Sequence, residues 1–337
     1  MDKRIKWIDY AGGFAMLLVF IQHSKMPLIT RVILAFHMAL FFWISGFLYA
    51  EKHEEKISIK NLTKKRFIRL IVPWIFWVFI DYMITAILEI LSGNFELFPF
   101  IIKLFTDIVY GTSFWFLPCM FVADILFHLF YKVIDRIKFG GPFEILLLSG
   151  ALLFWCLSWI ENKAVSITLP FRLDVSLMAT GFLFLGAGMH GVIKVIKSKK
   201  LLIKISLLFS LAILALICIV LNGRDGSNFM MYMNEYGNYL YAIVGASALI
   251  ICTFIFLDIS HPCLPKKYLL FLRKNSLILF PIHILILRVV LILYPQINTY
   301  NLWIQSVLNL VLIHIFMFPA CWLINRYLPV FAGKRKG

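Results

Sequence analysis

The sequence predicts an all-α integral membrane protein: a bundle of about ten transmembrane helices with both termini in the cytoplasm. Three observations carry this reading. Of 337 residues, 62% are hydrophobic and 15% charged, against about 45–50% and 25% in soluble domains. No water-facing surface covers that much apolar side chain, so a soluble enzyme, solvated disorder and a disulfide scaffold are excluded together. The apolar runs continue unbroken for about twenty residues, the length of a membrane-crossing helix, without the apolar and polar alternation of a β-barrel. The cations, finally, alternate from side to side along the chain.

The spans fall at approximately 7–24, 28–50, 70–91, 114–131, 143–160, 171–190, 203–221, 236–257, 276–294 and 302–325. The opening basic residues and first apolar run resemble a signal peptide. The run ends, however, in Ile21-Gln22-His23-Ser24-Lys25 and not in a small-x-small site, so it reads as a retained helix. Polar turns separate the spans, among them Lys25-Met26-Pro27, Ser92-Gly93-Asn94, Gly140-Gly141-Pro142 and Pro295-Gln296-Ile297-Asn298. Residues 95–113, with Pro99 and Gly111, read as an interfacial or re-entrant helix.

An even span count puts both termini and alternate loops on one side, and 26 of the 33 Lys and Arg fall there. That side is cytoplasmic by the positive-inside rule. The net charge of +16 is thereby a topological signal, and no nucleic-acid partner is expected. The longest connections have about twenty residues, too few for a soluble domain, so 1–337 is expected to be a single membrane domain. Six cysteines lie mostly inside apolar runs without CxxC spacing and read as small packing residues, with no metal expected.

A polar side chain in the hydrocarbon costs at least about 2.5–3.5 kcal/mol, so each demands a reason. Asp9, His23, His37, Asp81, Asp124, Asp174, His283, Arg288 and His314 are such residues. His314 reads as an interhelical hydrogen bond and the interfacial Asp174 as solvated near Arg172. His23 ends the first span and His37 lies roughly 14 Å into the second, so a tight turn at Pro27 brings both into one region. With a pKa near about 6.5, an imidazole there is suited to general-base work. Asp9 shares the helical face of His23 but stands about 21 Å away. At the mouth of the third span, Lys65, Arg66 and Arg69 are either positive-inside anchors or a phosphate grip, Arg66 and Arg69 sharing a face.

In order and spacing these segments resemble the acyltransferase 3 family. The resemblance rests on Trp7-Ile8-Asp9, His23-Ser24, the run from Phe36-His37-Met38 to Ser45-Gly46-Phe47-Leu48, and Arg66-x-x-Arg69-Leu70 with Pro73. Trp115-Phe116-Leu117 and Pro281-Ile282-His283 extend it over essentially the whole chain. Within the family it is most similar to stand-alone sugar O-acetylases, including the fucose 4-O-acetylase-like group. The resemblance implies a ten-helix enzyme of the cytoplasmic (inner) membrane. Such an enzyme takes an acyl group from cytoplasmic acyl-CoA, acetyl-CoA being the expected donor, and esterifies a hydroxyl of a glycan or lipid-linked saccharide.

It also implies that His23 is catalytic and that Arg66 and Arg69 handle the donor; Lys65, beside them, is a further donor-binding candidate. His37 is a second catalytic candidate. Trp115 and His37 are candidate oxyanion donors, and Asp9 and His283 are further candidates for substrate contact. Direct transfer and an acyl-histidine intermediate both stay open. One departure stands out: the family carries a cation eleven positions before the histidine, and here that position is Gly12. A cation from another helix is the expected compensation; altered donor recognition and weak catalysis are the alternatives. The rival reading is a carrier or a catalytically degenerate membrane partner, with Asp81, Asp124, His283 and Arg288 forming a proton or solute path.

Overall fold

The computed structural model describes residues 6–27, 29–138, 140–165, 167–224, 228–263 and 265–333. The predicted cytoplasmic termini, 1–5 and 334–337, lie outside the described residues. The fold is all-α, and among the described residues β pairing is limited to one isolated bridge, Met230 to Glu235. In chain order the helices are α1 Lys6–His23, α2 Thr30–Leu34, α3 His37–Glu51, α4 Ile59–Arg66, α5 Val72–Leu91, α6 Leu97–Tyr110, α7 Phe116–Asp135, α8 Phe143–Ala164, α9 Leu173–Gly188, α10 His190–Ser198, α11 Leu201–Asn222, α12 Tyr239–Ile259, α13 Lys266–Lys274, α14 Ser276–Leu293 and α15 Leu302–Tyr327.

Nine helical segments among the described residues are long and apolar enough to cross a membrane, where the sequence count is ten. The difference is α1, which forms as expected but holds Lys6, Asp9, Gln22 and His23 within its 18 residues. A second difference concerns the span 28–50, which is broken: α2 ends at Leu34, and α3 starts at His37 after Phe36, whose φ of −149° is non-helical. The segment 95–113 contains the 14-residue α6, amphipathic and without a buried residue, ended by Gly111 at φ 68°. At about 1.5 Å per residue it is too short to span, as expected of an interfacial helix.

The core sits where α3 and α9 cross, both largely buried, while α11 turns most of its apolar surface outward. The crossing is close because a Cβ on Gly46 would lie 1.9 Å from the Leu183 carbonyl oxygen, and one on Gly186 would lie 2.1 Å from that of Trp43. In a bilayer, where lipid is as apolar as leucine, such backbone proximity supplies much of the helix association. α1 packs against α3, α12, α13 and α14.

The basic segments gather at one end of the bundle. Lys197 lies 4.3 Å from the centroid of the Trp7 ring, Lys204 reaches Asp258 at 2.6 Å, Arg273 reaches Asp9 at 3.7 Å, and Lys132 donates to the Ile57 carbonyl at 3.0 Å. At the opposite end Asn162 donates to the Asn234 carbonyl at 2.6 Å and Arg31 fills the space above Gly223.

Candidate active site

Among the cavities bounded by the described residues, two hold predicted site residues, one towards each end of the bundle. The first, of about 390 Å³, is lined by His23, His37, Thr112, Trp115, Tyr232 and Phe280 among others. His23 is the last residue of α1, and the turn after it reverses the chain through Lys25 at φ 61°. His37 opens α3, and its Nδ1 lies 2.8 Å from the Ile33 carbonyl oxygen. A carbonyl only accepts, so Nδ1 carries the proton and Nε2 presents a lone pair. His283 makes the same bond to Leu279 at 2.8 Å, and its buried Nε2 has no hydrogen-bond partner among the described residues. Its ring packs edge-on against His23 with centroids 4.7 Å apart. No side-chain hydrogen bond of His23 occurs among the described residues, and its ring lines the cavity.

Trp115 reaches this cavity on a loop that Asp107 fastens from α6. Tyr82 donates to Asp107 Oδ2 at 2.5 Å, Ser113 donates to the same oxygen at 2.9 Å, and Thr112 donates to Oδ1. From the other side Trp74 donates its indole N–H to the Ser113 carbonyl at 2.8 Å. The loop bearing Met231 and Tyr232 is pinned likewise: Asn234 donates to Glu161 at 3.1 Å, and Asn222 to the Tyr236 carbonyl at 3.2 Å.

The second cavity, of about 110 Å³, opens at the basic end. Four cations, Lys52, Arg66, Arg69 and Arg273, line it against two carboxylates, Glu54 and Asp124. Arg66 is buried between both acids, Nη2 at 2.8 Å from Glu54 and Nε at 2.7 Å from Asp124. Burial alone would raise the Glu54 carboxyl, but Arg66 and then Lys65 overrule it and hold it below the ordinary carboxylate value. Arg69 lies on a π-helical turn, Phe67–Ile71, between α4 and α5. Pro73 explains the turn: without an N–H it cannot bond the Arg69 carbonyl four residues back, and the ladder widens ahead of it.

The two cavities approach each other at Phe280, which lines both, and Phe116 packs on it with ring centroids 4.7 Å apart. A basic pocket and a histidine pocket thus meet end to end at an aromatic partition. The profile of an acyltransferase domain matches residues 5–326 of the chain. The chain belongs to the acyltransferase 3 family. No curated protein and no solved structure matches it.

Among the predicted site residues of this acyltransferase, His23, His37 and Trp115 line the first cavity, His283 lies buried behind it against the His23 ring, and Arg66 and Arg69 line the second. Lys65 bonds Glu54 at 2.7 Å and does not line the basic cavity. Asp9 pairs with Arg273. As a neutral ring, His37 is spent as an N–H donor by Ile33, which fits an acceptor or base better than an oxyanion donor; the indole N–H of Trp115 is donor-only. The residues of the carrier reading are dispersed: Asp124 holds Arg66, while Asp81 and Thr85 hold Arg288 at 2.5 and 2.8 Å.

Sequence reasoning missed Glu54, Thr112, Asp107 and Arg273. Their signal was present but unspecific: each lies in or beside a short connection, where a polar residue needs no further cause.

Proposed function

We propose that this acyltransferase moves an acetyl or other short acyl group from cytoplasmic acyl-CoA to a hydroxyl of a cell-envelope saccharide, in the cytoplasmic membrane. The observation that carries the reading is the end-to-end pairing of a cation-rich cavity with a histidine-lined one in a chain of this family. Cations attract the phosphates of a CoA donor, and imidazoles suit the proton traffic of ester formation.

The basic cavity, at about 110 Å³, is too narrow for an adenine nucleotide, which therefore stays at its mouth near Lys52 and Arg69. Only the slender acyl-pantetheine arm goes deeper, towards Phe280 and Phe116, whose side chains rotate aside for the thioester. At the far side the acceptor hydroxyl lies against His23. As its oxygen bonds to the thioester carbon, its proton passes to a His23 ring nitrogen. The charge developing on the carbonyl oxygen takes a hydrogen bond from Trp115. The tetrahedral centre then collapses, the carbon–sulfur bond breaks, and the proton on His23 goes to the leaving thiolate. Ester and CoA thiol are the products, and His23 is neutral again. His37 Nε2 and His283 Nε2 supply acceptor sites that orient the hydroxyl and the His23 ring.

Purified enzyme in lipid nanodiscs, given acetyl-CoA and an envelope glycan fraction, is expected to release CoA thiol and to label the glycan with the acetyl group. Thiol release that does not depend on any glycan, or no release at all, would remove the saccharide acceptor or the CoA donor from the reading.

A further inference from the structure

Gly12 and Gly13 lie where α13 crosses α1, and they have different reasons to be glycine. A Cβ at Gly13 would stand 2.1 Å from the Leu269 carbonyl oxygen, so backbone proximity forbids a side chain there. A Cβ at Gly12 would first meet a side chain: its nearest neighbours are Arg273 Cδ at 2.6 Å and Nε at 2.8 Å. The guanidinium arm of Arg273, from α13, lies across the position a side chain at Gly12 would occupy. Its Nε is 3.7 Å from Asp9 Oδ1, three residues earlier on α1, and the arm lines the basic cavity with Arg66 and Arg69.

We propose that Arg273 is a binding residue for the donor phosphates, reaching over Gly12 into the basic cavity, and that Asp9 is the residue that positions it. This rests on the reading that the basic cavity receives CoA. Arg66 is already matched by two carboxylates that line the cavity, whereas Asp9, the partner of Arg273, does not line it, so Arg273 joins Arg69 and Lys52 in making the cavity wall basic. A guanidinium carries five N–H groups in a planar fork, the geometry that matches a phosphate group. Gly12 is then no sign of decay: the cation enters from α13 instead of α1, and glycine is what makes room for it.

The test uses the full-length protein in nanodiscs and two probes, CoA binding and acyl transfer from acetyl-CoA or from acetylpantetheine, which lacks phosphate. Arg273→Ala is expected to weaken CoA binding and raise the acetyl-CoA requirement by about ten- to a hundredfold, while leaving acetylpantetheine turnover within about twofold. Gly12→Arg alone is expected to impair both donors, since its Cβ collides with Arg273 and like charges are crowded together. The double variant Gly12→Arg/Arg273→Ala returns most of the lost CoA affinity. Asp9→Asn raises the acetyl-CoA requirement and adds nothing further in the Arg273→Ala background.

Wild-type CoA affinity in Arg273→Ala overturns the proposal, as does an equal loss for both donors. If arginine at position 12 prevents folding, the comparison of donors with Arg273→Ala and Arg273→Lys still decides. Loss of CoA binding in Arg69→Ala but not in Arg273→Ala defeats this inference alone. A wild type that folds yet binds no CoA defeats the donor reading beneath it.

Discussion

Arg66 and Arg69 are expected to fail differently when removed. Side-chain exposure is 8% for Arg66, 11% for Glu54 and 6% for Asp124, so the triad is shielded from water; Asp124 is paired with this one guanidinium, while Glu54 shares it with Lys65. Arg66→Ala strips it from two buried carboxylates at once. Breaking a buried pair by removing one partner costs about 3–5 kcal/mol, because the remaining charge is left uncompensated. The carboxylates recover part of this by binding protons, so the lower end of that range is the better expectation for the triad. Arg66→Lys keeps a charge but reaches one acid at a time and loses a charge-assisted bond of about 1.5–3 kcal/mol.

Arg69 lies in the cavity wall on its π-turn and is open to the cavity, without a carboxylate ion pair of its own among the described residues. Arg69→Ala should therefore leave folding nearly unchanged. Its loss should appear as a raised acyl-CoA requirement of about ten- to a hundredfold, one charge-assisted bond to a phosphate. Thermal unfolding in detergent with acyl-CoA titration separates the two. A several-degree loss of melting temperature is expected in Arg66→Ala and almost none in Arg69→Ala. Equal melting temperatures with equal donor defects would refute the assignment of Arg66 to a structural triad.

His23→Ala should lower turnover by about 10²–10⁴-fold in a protein that still folds; a loss under about tenfold assigns the proton transfer elsewhere. Asp107→Ala releases Tyr82, Thr112 and Ser113 together, so turnover should fall with the acyl-CoA requirement unchanged, and a purely donor-side defect would contradict that. Glu54 has a folded pKa below its unfolded value of about 4.3. Its stabilising contribution is complete above that value and is lost as pH falls through the folded one, so melting temperature should drop on acidification below about pH 4 and less so in Glu54→Gln. Cysteines placed at Ser58 and Ser198 should react only from the cytoplasm, and those at Asn94, Asn162 and Asn298 only from outside; labelling of Ser198 from outside overturns the orientation.

How much of this was legible in the sequence depends on the range of the interaction. The all-α membrane fold follows from composition and run length, which are properties of contiguous residues. The meeting of His23 and His37 follows from a turn of few residues, a local event that Pro27 announces. The break at Phe36 did not show, because an apolar run looks the same whether or not one residue within it leaves the helical region. His283 joins His23 from α14, some 260 residues along the chain. Arg66 finds Asp124 from α7. Such contacts depend on which helices are neighbours, and hydropathy does not encode that order. Arg66 and Arg69 were paired in advance by their spacing on an α-helix, and the π-turn still brings both to one cavity; the structure adds that one of them is neutralised and the other is not.

The departure at Gly12 illustrates why a motif read along one helix can mislead. On α1 alone a cation is missing from the face that leads to His23, and the sequence offers four basic residues between 266 and 274 with nothing to distinguish Arg273 from its neighbours. Packing distinguishes it. Gly13 lets α13 approach until Leu269 touches the α1 backbone, and that approach carries Arg273 over the adjacent glycine to Asp9. The two glycines act as a pair, one admitting the helix and the other its side chain. Restoring a cation at position 12 would therefore add a side chain where one already lies. On the proposal that Arg273 meets the donor phosphates, the charge belongs to a place between two helices, and either helix can supply it so long as the other leaves the space.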